Sequence, residues 1–181
     1  MQAGLSTKNA PSVWVVVPHF LLGTLSFIIA AVILSFNSET LLGYHLGGPV
    51  LAVAHLMILG WVTMIIFGAL YQLIPVVMEV KLYSENLAFI SLVSLVIGLF
   101  FLIIAFFGFT FQLTNNFMIG GSLVVFAVLI FAINSIKSAL SSPKNSISKS
   151  YIMASTIYLL ITVLLGLFTI INLSGNYMVI A

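Results

Sequence analysis

GGPVLAVAHLMILGWVTMIIFGALYQLIPVV, residues 47–77, holds no charged side chain and a single histidine, His55, near its middle. Crossing the hydrocarbon of a bilayer takes roughly 20 apolar residues in a helix, and this stretch is longer than that. It therefore reads as a membrane-spanning helix over 49–78. Pro49 suits the first helical position, where its missing N–H has no partner to lose. Pro75 is expected to bend the last turn, with Tyr71 and Gln72 approaching the membrane interface. Four further runs outside it meet the same criterion, at 13–36, 87–111, 117–136 and 151–173. None alternates polar with apolar residues as a barrel strand would. The predicted fold is all-α, a polytopic membrane helix bundle that forms one transmembrane domain over residues 1–181.

Composition leads to the same class. The chain is 62% hydrophobic and 4% charged, with a mean hydropathy of +1.33, far more apolar surface than a small soluble core could hide. The first run is too long for a cleaved signal, and the lead MQAGLSTKNAPS offers one lysine and no small-residue cleavage pattern beyond it, so it reads as a retained helix. With no cysteine, disulfides and thiolate metal sites are excluded. There is no aspartate or arginine, and Glu39, Glu79 and Glu85 fall in or beside connections, which leaves no intramembrane carboxylate pair for a proton relay.

Along a five-helix path Lys8, Lys81, Lys137, Lys144 and Lys149 all fall on one side, which the positive-inside rule makes cytoplasmic, together with the N-terminus. These lysines are few and separated. They indicate topology and no nucleic-acid partner; the expected surroundings are a lipid bilayer. After the fifth run, SGNYMVIA at 174–181 parallels GGPVLAVA at 47–54, with two identities in eight. It reads as the start of a sixth, truncated span and as a return to the pattern of the second, as a parallel internal repeat would give.

His55 is the candidate site. On α-helical spacing its face contains Leu51, Ala52, Leu59, Val62, Ile66 and Ala69, apolar throughout and with alanines small enough for a flat ring to approach. An imidazole in such a stripe needs a metal or a hydrogen bond. Two readings stand: a metal-binding imidazole that is an axial ligand of haem iron, or a histidine hydrogen-bonded to a backbone or side-chain group on a neighbouring helix. His45 lies in the turn LLGYHLGG, where a solvated interfacial histidine is expected. His19 lies nearer the lysine-bearing end, whereas His55 is roughly 12 Å in from the opposite end at about 1.5 Å per residue. A single iron held by both is not expected. No HExxH or similar zinc spacing occurs. Gly60, Gly68, Gly120 and Gly121 are read as close helix packing.

His55, Gly60-Trp61, Gly68-Ala69-Leu70-Tyr71 and Pro75 together resemble the second helix of subunit I of the haem-copper oxidase superfamily, on the oxidase and nitric oxide reductase branch with its oxidase-like bacterial relatives. The resemblance covers mainly the first two and a half helices. It implies that His55 is one axial ligand of a low-spin haem used in electron transfer, in a twelve-helix fold built of four-helix units, and hence a place in a bacterial inner membrane and its respiratory chain. The sequence also departs from the family. Val53 and Ala54 stand where many oxidases have an arginine before the histidine, and the family's copper-ligating histidines and other haem ligands lie on later helices. The resemblance thus implies an N-terminal portion, or a chain needing other membrane subunits, that turns over oxygen or nitric oxide only within a longer chain or complex. The competing expectation is a non-enzymatic helical membrane subunit or a small transporter-like bundle.

Overall fold

A computed structural model describes residues 7–41, 47–108, 115–143 and 146–175. His45 and the predicted truncated sixth span lie outside the described residues. Five helices are long and apolar enough to cross a membrane: α1 (Val13–Phe36), α2 (Gly48–Met78), α3 (Glu85–Phe107), α4 (Asn115–Leu140) and α5 (Ile147–Gly175). No strand occurs among the described residues. The expected all-α bundle is what the chain forms, and apolar side chains such as Leu21, Phe100 and Leu165 cover its outside. An outer surface of that kind is stable only against lipid, so the chain is an integral membrane protein.

Helix ends depart from hydropathy where polar side chains build the terminal turn. α3 begins at Glu85 because the Ser84 hydroxyl caps it, accepting from the Leu87 N–H at 3.3 Å. The Glu85 carboxylate accepts from the Ser12 N–H at 2.9 Å, which ties the start of α1 to the start of α3. α4 runs on through Lys137 and Ser138, and α5 starts at Ile147, four residues before the predicted 151.

α1 packs on α2, α2 on α3 and α4, α3 on α4, and α5 along α4. α3 and α4 meet backbone to backbone. A Cβ on Gly120 would stand 2.9 Å from the Gly98 carbonyl oxygen and the Leu102 nitrogen, so only a hydrogen side chain lets these backbones meet. α1 crosses α2 on the same principle at two levels: a Cβ on Gly60 would lie 2.6 Å from Ser26 Cβ, and one on Gly68 would lie 2.9 Å from His19 Cβ. The sequence-based reading of these glycines as packing residues is correct.

One feature of α2 was not expected. Residues Leu56–Thr63 are π-helical, and the Thr63 hydroxyl donates to the Ile58 carbonyl at 2.8 Å, five residues back. Widening the turn in this way retards everything downstream, by about 100° for each residue added to the turn count. The predicted face of His55 is therefore wrong beyond Leu59. Val62 and Ile66 are 42% and 45% exposed, while the buried seam passes through Gly60, Met64, Phe67 and Tyr71.

All the described lysines share one end of the bundle. Lys137 donates to the Tyr83 hydroxyl at 3.1 Å and lies over that ring, Lys149 donates to the Ser142 carbonyl at 3.1 Å, Lys81 lies in the connection beside Tyr83, and the helical turn bearing Lys8 packs on the end of α2.

Candidate functional site

Two histidines lie within the spans, and their local chemistry is the same. In α2, His55 Nδ1 is 2.7 Å from the Leu51 carbonyl oxygen, one turn back. In α1, His19 Nδ1 is 2.7 Å from the Val15 carbonyl oxygen, again one turn back. A carbonyl oxygen only accepts, so Nδ1 of each ring carries the hydrogen, and in the neutral imidazole Nε2 then holds a bare lone pair. That tautomer is the one a metal-ligating histidine uses.

Their surroundings differ. His55 is the last α-helical residue before the π segment and is half-buried. Its ring lies against Phe106 of α3, with centroids 4.6 Å apart and planes at 43°; Phe106 in turn meets Phe117 of α4 edge-on at 5.2 Å. His55 thus ends a row of aromatic rings across three helices at the lysine-free end. A cavity of about 300 Å³ lies at that same end but is lined by Phe36, Asn37, Ser38 and Glu39, and His55 takes no part in it.

His19 is fully enclosed, at 0% exposure. Gly68 lets its Cβ sit against α2, and its ring meets Tyr71 edge-on, with centroids 5.4 Å apart. Tyr71 is 0% exposed, edge-on to both Phe67 and Phe131, which stack on each other at 3.6 Å. Since His19 stands opposite Gly68, the two imidazoles are separated by the length of α2 between positions 55 and 68, roughly 20 Å. The expectation that they differ in depth holds, and the geometry brings no second ligand to His55 from His19.

Sequence reasoning passed over Asn134. Its side chain is buried, accepts from the Ser84 N–H at 3.0 Å and donates to the Ser84 carbonyl at 2.8 Å, holding the first turn of α3 on α4. An asparagine directly after the apolar run Leu123–Ile133 was the available signal, because a buried amide requires partners.

Among the described residues no three of His, Cys, Asp or Glu come together to hold a metal ion. The donor chemistry at His55 fits a group needing one imidazole per face, as haem does. It does not fit a metal needing several protein ligands. Searches against protein-family models, curated proteins and solved structures found no match to this chain.

Proposed function

We propose that this chain is a haem-associated membrane protein of the oxidase subunit I type, in which His55 supplies an axial imidazole to a low-spin haem. The feature that supports the reading is the half-buried edge of His55, where Nε2 is left bare because Nδ1 is held by the Leu51 carbonyl at 2.7 Å. The Phe106 ring beside it would keep water from one face of the imidazole. When bound, the haem supplies one-electron transfer; the protein's part is to orient the imidazole and to keep the surroundings apolar. The second ligand comes from a residue beyond those described or from another subunit, so turnover of oxygen or nitric oxide belongs to a larger assembly. On the positive-inside rule the lysine-bearing end, with the N-terminus, faces the cytoplasm, in keeping with a bacterial inner membrane.

A second reading, a non-enzymatic helical subunit or small transporter-like bundle in which His55 only packs, is favoured by the same two contacts, since the Leu51 carbonyl and the Phe106 ring already occupy one nitrogen and one face. The two readings separate in one experiment: co-expression with the partner subunits, purification, and visible spectra of wild type and His55→Ala. A Soret band lost in the variant supports the ligand. An unchanged band, or none in the wild type, leaves the packing reading.

A further inference from the structure

Three buried polar atoms among the described residues have no hydrogen-bond partner: His19 Nε2, the Tyr71 hydroxyl and Ser135 Oγ. Two of them belong to rings in contact. Both rings are at 0% exposure, and groups so buried are nearly always bonded to protein or to ordered water.

The donor inventory narrows what belongs there. His19 Nδ1 donates to the Val15 carbonyl, so Nε2 requires a donor. The Tyr71 hydroxyl brings one hydrogen and two lone pairs. Beside it lie the Ser91 and Asn134 side chains, close but not in bonding geometry. Ser91 gives its own hydrogen to the Ala127 carbonyl at 2.8 Å and has only lone pairs left, while the Asn134 amide is engaged with the Ser84 backbone. A cation would find no carboxylate at this depth, and an anion would face the bare lone pair of Nε2. A small neutral molecule that both donates and accepts satisfies every group.

We propose that the α1–α2 seam at His19 and Tyr71 binds an ordered water molecule, which donates to His19 Nε2 and bonds the Tyr71 hydroxyl. Toward the lysine-bearing end the Ser138 hydroxyl accepts from the Tyr83 N–H at 2.9 Å and donates to the Asn134 carbonyl at 2.6 Å, so buried polar groups continue along α4 as far as Asn134, beside Tyr71. Toward the other end lie the stacked rings of Phe67 and Phe131. The site is separate from His55.

The test uses the full chain in lipid nanodiscs. Magnetic resonance should show magnetisation passing from water to the His19 ring protons, and not to the rings of Phe67 and Phe131. In parallel, unfolding equilibria are measured for Tyr71→Phe, His19→Leu and the double variant. Each single change is expected to raise the unfolded-to-folded ratio about tenfold, and the double variant by clearly less than the product, because one bridge links the two groups. Additive effects, or a Tyr71→Phe variant more stable than wild type, would mean a dry seam and overturn the proposal. Coupling without water transfer would mean that the rings bond each other directly, which overturns it as well.

Discussion

His19 and His55 make the same bond to their own helices and live in opposite surroundings. Each gives its Nδ1 hydrogen to the carbonyl one turn back at 2.7 Å. Around His19 the protein closes in completely: the ring is at 0% exposure, with Gly68 and Tyr71 of α2 against it. His55, with Phe106 of α3 against it, is only half-buried. The helix-borne hydrogen bond therefore does not by itself say what an intramembrane imidazole is for. What separates the two rings is burial: Nε2 of His19 is enclosed, whereas His55 keeps a half-buried edge, the difference on which the proposed roles rest.

That contrast gives a graded set of expectations for stability, measured by denaturant titration in detergent with circular dichroism. His19→Ala should have the largest effect, about 3 kcal/mol of destabilisation, because a fully enclosed ring leaves a cavity and an uncovered Tyr71. Helix association in lipid relies on packing and has little hydrophobic drive to offset such a loss. Gly68→Ala tests the same region from the other helix. Its new Cβ would stand 2.9 Å from His19 Cβ, and overpacking of this kind costs about 2 kcal/mol. Thr63→Val keeps the shape but removes the hydroxyl that bonds the Ile58 carbonyl within the π segment; about 1 kcal/mol is expected. His55→Ala should be the mildest, about 0.5 kcal/mol, as for a residue at the edge of the packing. If His55→Ala proved as damaging as His19→Ala, the two environments would not differ in the way described.

Most of the architecture was legible in the residues, because a bilayer imposes one rule, a long apolar run, on every span. The predicted 13–36 and 49–78 match α1 and α2 within a residue. The starts of α3 and α5 were placed late because Ser84, Glu85 and the serines around 146–150 form helix turns that hydropathy scores as loop. The π segment was not legible. LMILGWVT has the same hydropathy whether its turns are α or π; the segment includes Gly60, which meets Ser26 across the α1–α2 crossing. The reading of α2 that relied on α spacing past His55, the face it shares with Val62, Ile66 and Ala69, failed for that one reason. His55 itself was found from sequence, since a histidine in an apolar run stands out. His19 stands out equally, but its weight appears only when Gly68 and Tyr71 are seen beside it.

The account's central claim concerns the nitrogen that His55 leaves bare. Haem titrated into the purified full chain, and followed in the visible spectrum for wild type, His19→Gln and His55→Ala, tests it directly. A bound-haem Soret band is expected in wild type and in His19→Gln, and its loss in His55→Ala. A band that survives in His55→Ala, or that disappears only in His19→Gln, would contradict it.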